Sequence, residues 1–414
     1  VAGITVLAFN LRGSITSLPP VFPELSAALH LPAASVALLA AVPVLCFGVF
    51  SGPAAPLSRR FGEERVLLAA LALLAGGLLL RGAAPGSLLF PGTVLSGAAI
   101  ALMNVLLPSL VKRRRPEHAG LLIGGYLLML AGGAVIGSLL AVPVLRAAGA
   151  AGGSGWPVRL TLGLWALPAA GAAVVWLPQV RHRTRPDRHR GGVAVHRHAL
   201  SWQVAAFMGV QSLYYYATLS WLPTLFRSRG VSAGAAGGLL ALMNLGNLVT
   251  AMFIPVIAHR MRDQRPLVAV MVLASAAGLS GSLFAPVGGA AAWTLLLGFG
   301  QGAGLALAIF FTVARAPDPA TAASLSGFAQ GAGYLIAAAG PLTVGFLHAV
   351  TGGWTVPVLA LLGVAGLEFW SGWLAGRART LPAAGPGRRA GPASPAGPAG
   401  PGGPAGPGNW QRNL

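Results

Sequence analysis

An arginine stands inside a stretch that is otherwise built for hydrocarbon. Arg12 follows the apolar run of residues 1–9, and its segment stays largely apolar to about residue 27. At about 1.5 Å per residue it lies roughly 15–20 Å into a hydrocarbon layer about 30 Å thick. Placing a guanidinium there costs roughly 2.5–3.5 kcal/mol on insertion scales. A charge at that depth must face a polar interior or a water-filled cavity, and by default it marks a substrate site. Asn10 lies beside it, and Thr16, Pro20 and Pro23 or Glu24 follow at i+4, i+8 and i+11 or i+12, one stripe of a helix. The structural alternative is an Arg12 spent on carbonyls of a neighbouring helix.

Other apolar segments carry polar groups that could meet it. Asn104, Pro108 and Lys112 share one stripe, with Lys112 toward the cytoplasmic mouth, and Tyr126 lies in the next segment, which begins near His118. Gln211, Tyr215, Thr218 and Trp221 share another stripe beside Tyr214 and Tyr216. Asn244, Gln301, Gln330 and Tyr334 complete the set. One cation among neutral hydrogen-bonding groups, with no carboxylate at the midplane, suits a small anionic or planar polar solute. In that reading Arg12 takes the negative or nitro group, Asn104 and Gln211 fix its edge, and Tyr215 and Trp221 form aromatic walls. The same amides as interhelical glue would contribute only about 0.6 kcal/mol each. Glu24, the acid nearest Arg12, is the candidate for proton coupling, whereas Glu368 is expected to face another helix.

These groups need a membrane scaffold to position them, and the composition supplies it. Only 9 % of the 414 residues are charged and 55 % are hydrophobic, against about 25 % charged in soluble proteins. Apolar segments run at about 3–27, 34–57, 66–83, 87–111, 119–145 and 157–178, then 202–226, 232–258, 267–286, 289–314, 320–348 and 354–376. The expectation is an all-α integral membrane protein of twelve helices in two six-helix bundles, 1–178 and 200–376. An Arg/His-rich linker, 179–199, joins them, and a disordered Gly/Pro/Ala-rich tail, 377–414, follows.

Alternate loops, with the linker and tail, hold 22 of the 28 Lys+Arg, which places both termini in the cytoplasm. The halves also match at an offset of 200: Pro23 with Pro223, Arg60 with Arg260, Glu63 with Asp263, Arg65 with Arg265. An offset spanning six helices is a parallel repeat, as in transporters with a site between two bundles.

A net charge of +20 invites a nucleic-acid reading, but the arginines fall in short loops and no basic stretch carries interleaved aromatics. His196 and His198 lack carboxylate or thiolate partners for a metal. Gly298, Gly300 and Ala303 imitate a dinucleotide fingerprint, yet no strand precedes them and the segment is apolar. No acid, histidine or nucleophile cluster near the midplane supports an enzyme. Neither cofactor nor metal is expected. The expected partners are a small-molecule substrate, the lipid bilayer and, through Glu24, a proton; a monomer is expected.

Four stretches carry a resemblance. They are Asn10-Leu11-Arg12 with Thr16 and Pro23-Glu24, Leu45-Cys46-Phe47-Gly48, Gly97 to Asn104 and on through Pro108 to Lys112-Arg113, and Gly209-Val210-Gln211-Ser212-Leu213 to Trp221-Leu222-Pro223. Together they resemble the cyanate permease and 2-nitroimidazole transporter (CynX/NimT-like) group of the major facilitator superfamily, over roughly residues 3–376. The resemblance implies twelve helices, alternating access, and small anions or nitro-heterocycles as substrates, in a bacterial inner membrane. The superfamily loop after helix two, Gly-x-x-x-Asp-Arg-x-Gly-Arg-Arg, is altered here. Arg59 takes the Asp position and Glu63-Glu64 replace the basic pair, while Arg60 and Gly62 remain. Arg59, Arg60, Glu63, Arg260 and Asp263 are the candidate gating-loop residues. Efflux of toxic compounds and a non-transporting membrane sensor remain as alternative functions.

Overall fold

The computed structural model describes residues 2–83, 86–114, 119–149, 155–181 and 194–382. His118, the side chain of Lys112, most of the linker (182–193) and the tail beyond 382 lie outside them. Sixteen α-helices and several single 3-10 turns make up the described chain, with no strand among the described residues. In order, α1 is Ala2–Thr16, α2 Phe22–Leu29, α3 Ala33–Phe50, α4 Ala54–Phe61, α5 Glu63–Gly82, α6 Leu89–Arg114, α7 Ala119–Gly149, α8 Trp156–Gly163 and α9 Ala166–Trp176. The second half holds α10 Ala199–Ser228, α11 Ala233–Arg260, α12 Arg265–Phe284, α13 Ala290–Ala314, α14 Pro319–Ala337, α15 Ala339–Thr351 and α16 Thr355–Ala375.

Twelve crossings result once the broken pairs α1–α2, α8–α9 and α14–α15 are each taken as one and the eight-residue α4, too short to cross, is set aside. Ten stretches of the described chain are long and apolar enough to span a bilayer on their own. The two that are not are α1–α2 and α10, which carry Arg12 and the tyrosine cluster. Polar chemistry makes them poor membrane helices in isolation, and packing against ten apolar ones compensates.

The first crossing breaks where proline forbids continuation. Pro19 and Pro20 have no N–H to return to Ile15 and Thr16, so α1 stops at Thr16 and a 3-10 turn, Pro19–Val21, leads into α2. The stripe expected to run unbroken from Arg12 to Glu24 is therefore cut. Leu18 N–H turns to the Ile15 carbonyl at 3.3 Å, and the Ser14 carbonyl it would have met accepts instead from Ser17 Oγ at 3.2 Å and from Arg81 Nη2 at 3.1 Å. Arg81 has the position of a loop residue in sequence, but it is buried at the end of α5 and tops the C-terminal end of α1, where a cation is favoured.

The two halves repeat each other's packing. In the first, α1 packs on α7 and α9, α5 on α6 and α9, and α3 on α6; in the second, α10 packs on α14 and α16, α12 on α13 and α16, and α11 on α13. Individual contacts repeat as well. A Cβ at Gly133 would collide with the carbonyl of Phe9, and one at Gly333 would lie 3.2 Å from the nitrogen of Gly209. Both residues of that contact shift by 200. In the α5–α6 pair the shift is 201: Gly77 lies against Gly92 and Ser96, and Gly278 against Trp293 and Leu297. One inserted residue moves the register there, and the packing follows it. Between the bundles, α7 packs on α11, and α3 on α14 and α15.

At the end that bears the arginine-rich loops, Leu381 is buried with Val195 and Leu325, and its N–H donates to the carbonyl of Arg315 at 2.8 Å. The tail thus begins with a docked residue in a stretch expected to be unstructured. Asp318 caps α14, accepting from Thr321 N–H at 2.9 Å and Thr321 Oγ1 at 2.7 Å. Those bonds hold its carboxyl below the usual aspartate range. A depressed carboxylate stabilises the fold above its ordinary pKa and loses that contribution as pH falls through the lowered value. Asp318→Asn should therefore unfold more readily than wild type at neutral pH. The difference should vanish in acid, when both are scanned in detergent across pH.

Candidate functional site

Arg12 reaches across the bundle interface. Its Nη1 donates to the hydroxyl of Tyr215 on α10 at 2.6 Å, and that hydroxyl donates to Asn244 Oδ1 on α11 at 3.1 Å. Asn244 Nδ2 is held by the Leu240 carbonyl at 3.0 Å, which fixes the orientation of the amide. The guanidinium carbon stands 5.2 Å from the Tyr215 ring and 6.0 Å from the Tyr216 ring, within cation–π range. Tyr126 of α7 and Tyr334 of α14 also lie within electrostatic reach.

The rings touch one another. Tyr215 and Tyr216 meet edge-on at 5.0 Å, and Phe47 of α3 lies 6.2 Å from Tyr216 and 5.6 Å from Tyr334. The result is a box of aromatic faces around one guanidinium, assembled from α1, α3 and α7 of one bundle and α10 and α14 of the other. Arg12 is half-buried, between the buried Leu11 and Gly13, while Phe47, Tyr126, Tyr215 and Tyr216 around it are buried. Among the described residues no carboxylate pairs with Arg12. Nη1, one prong of the guanidinium fork that an anion or a nitro group would take, is already hydrogen-bonded to the phenol.

Several residues on the expected stripes serve packing instead. Asn10 is buried, and its amide donates to Val6 and to Pro168 of α9 at 3.3 Å, away from the box. Thr16 donates to Ala134 of α7 at 2.9 Å and fastens α1 to α7. Gln211 turns back on its own helix, to Ser212 Oγ at 2.7 Å and the Met208 carbonyl at 3.2 Å. Trp221 is no wall of the box. It lies nearly two turns beyond Tyr215, donates to the Pro341 carbonyl at 2.9 Å and packs beside Phe22 and Trp354.

Gln301 joins α13 to α10 through Thr218 Oγ1 at 2.7 Å, with its own Oε1 unpartnered. Gln330 is half-buried one turn before Tyr334 and donates to Ser326 Oγ. Asn104 and Pro108 are half-buried on α6; among the described residues no hydrogen bond joins Asn104 to the box. Tyr216 and Phe47 are the members that periodicity missed. The adjacent tyrosines and Phe47 are visible in the sequence, but only folding shows that they face the same cation.

Glu24 has a partner of its own. Its carboxylate lies 2.8 Å from Arg227 Nη1 at the end of α10, so an ion pair joins the bundles far from the basic loops. At the same end Gly237 of α11 packs close to the Ser138 carbonyl and Pro20, and Gly345 of α15 close to Ala37. Of the loop residues, Arg59 and Arg60 are exposed, with Arg60 over the Phe61 ring at 5.1 Å, while Glu63 is buried in the first turn of α5. Arg260 is exposed as well, and Asp263 accepts from the Arg265 N–H at 3.0 Å.

The comparisons with known proteins agree with this fold. The family model of the Major Facilitator Superfamily matches residues 4–341. The 2-nitroimidazole transporter of Escherichia coli K12 is 39 % identical over 387 residues, 92 % of this chain and 96 % of that protein. The cyanate transport protein CynX of the same organism is 28 % identical over 369 residues, 87 % of this chain and 94 % of that one. A bacterial homologue of the human lysosomal transporter Spinster, solved in an inward-facing and unoccupied conformation, superposes with a TM-score of 0.74 at 15 % identity, covering 92 % of this chain and 98 % of that one. With twelve crossings in two repeated bundles, this chain belongs to the major facilitator superfamily, in its cyanate and 2-nitroimidazole transporter group, and is a multi-pass membrane transporter rather than an enzyme.

Proposed function

We propose that this transporter carries a small planar anion or nitro-heterocycle, held by Arg12 inside the aromatic box and exposed alternately to the two sides. The observation that carries the reading is the half-buried Arg12, hydrogen-bonded to a phenol and paired with no carboxylate among the described residues. A guanidinium at that depth is costly unless it works. The names of two relatives, a 2-nitroimidazole transporter and a cyanate transport protein, support the solute class. The box draws on both bundles, so rocking one against the other opens and closes it. The test is uptake or efflux of labelled 2-nitroimidazole and cyanate by proteoliposomes of the purified chain. Transport of neither sinks this substrate class.

In the same reading the arginine-rich loops face the cytoplasm of a bacterial inner membrane, with both termini inside. The chain works as a monomer. Glu24 and Arg227 then form a latch on the outer side. Partly exposed pairs contribute about 0–1 kcal/mol, weak enough to open in each cycle. A proton delivered to Glu24 removes the carboxylate charge and releases Arg227, which makes Glu24 the coupling acid. Glu24→Gln should then stop accumulation driven by a pH gradient yet preserve counterflow exchange of labelled for unlabelled solute. Accumulation at the wild-type rate would show that the proton enters elsewhere or that another ion is coupled.

A further inference from the structure

The geometry points to Tyr215 as an internal stand-in for the solute: we propose that its hydroxyl occupies the Arg12 fork in the empty carrier and is displaced when an anion binds. This rests on the reading of Arg12 as the anion site and assigns Tyr215 the role opposite to that of a substrate ligand. The hydrogen-bond directions decide it. The single hydroxyl proton of Tyr215 goes to Asn244 Oδ1, whose amide is locked by the Leu240 carbonyl, so the hydroxyl meets Arg12 with a lone pair. Tyr215 therefore presents the guanidinium with what a solute oxygen would present, an acceptor, at 2.6 Å.

A neutral acceptor holds that place weakly against a charged one. Both bonds are charge-assisted by the guanidinium, but an ionised acceptor adds a Coulomb attraction that the phenol oxygen lacks. An arriving anion takes the fork, and Tyr215 keeps Asn244. The exchange has a mechanical consequence, because the chain Arg12–Tyr215–Asn244 ties α1 of one bundle to α10 and α11 of the other. The empty carrier is tied at its centre, and the loaded one is tied there through the solute instead. Tyr215 is thus a positioning residue that sets affinity by competing for the site.

The sign of one substitution separates the two roles. Tyr215→Phe keeps the ring and deletes only the competitor. A hydrogen bond to a charged group is worth about 1.5–3 kcal/mol, and removing such a competitor raises apparent affinity by at least about tenfold. The experiment titrates purified wild type, Tyr215→Phe and Arg12→Ala with 2-nitroimidazole and with cyanate. In parallel it measures, without any solute, how fast phenylglyoxal modifies Arg12, read by mass spectrometry. The proposal expects about tenfold tighter binding in Tyr215→Phe and about tenfold faster labelling of Arg12. Weaker binding with Arg12→Ala inactive would overturn it and make Tyr215 an ordinary ligand, leaving the anion site standing. Undiminished binding in Arg12→Ala would remove the anion site instead, and labelling would still judge the tie. Unchanged labelling of Arg12 in Tyr215→Phe overturns the proposal whatever the solutes do.

Discussion

Arg12→Ala is expected to abolish transport while the protein still inserts and purifies. The guanidinium supplies the only cation of the aromatic box among the described residues, and a half-buried side chain leaves no closed void behind it. Its loss also releases the Tyr215 hydroxyl, which keeps its bond to Asn244 and so leaves no buried group stranded. Folding should therefore change little, and thermal unfolding in detergent should stay close to wild type. Transport of 2-nitroimidazole or cyanate should fall to the background of empty vesicles. Arg12→Lys should recover part of it, because a point charge survives while the planar two-pronged fork does not. Wild-type flux in Arg12→Ala vesicles would refute the site.

Gly133→Val carries the second large effect, this time on folding. A Cβ at Gly133 would run into the carbonyl oxygen of Phe9, which is backbone and cannot swing aside, so α1 itself must move. Overpacking of a filled contact costs about 1–3 kcal/mol and occasionally more, and a backbone obstacle belongs at the top of that range. Because α1 carries Arg12, transport should fail together with stability. The neighbouring Gly132 has nothing within 4 Å of an added Cβ, which makes Gly132→Val the control. It should insert, unfold near the wild-type temperature and transport. Equal loss in both variants would mean that valine in the helix, rather than the α1–α7 approach, is responsible.

Much of the architecture was legible before any coordinates. Apolar segment lengths, the alternation of arginine-rich loops and the repeat at 200 residues lead to twelve crossings in two bundles. Arg12 was legible as well, because a charge at mid-membrane depth is costly whatever surrounds it. Less could be read of its surroundings. Spacing says which residues share a stripe, but it does not say which neighbour the stripe faces. Asn10 and Thr16 therefore looked like site residues, although they fasten α1 to α9 and α7. Two prolines cut the stripe before Glu24, and Trp221 went to a different contact nearly two turns away.

The partners that matter most are distant in sequence. Arg12 meets Tyr215, and Glu24 meets Arg227, each 203 residues on. The repeat could not reveal them, since its offset pairs Arg12 with Ser212 and Glu24 with Thr224. The site is thus where the two halves differ, as a central site must be if a single asymmetric solute is to be gripped from both sides.

An experimental structure of the chain with 2-nitroimidazole or cyanate bound tests the central claim most directly. The solute's oxygen or nitrogen atoms should lie about 2.7–3.2 Å from the Arg12 guanidinium, between the rings of Tyr216 and Tyr334, with the Tyr215 hydroxyl withdrawn from Arg12 and still on Asn244. A solute bound elsewhere, with the Arg12–Tyr215 hydrogen bond intact, would contradict it.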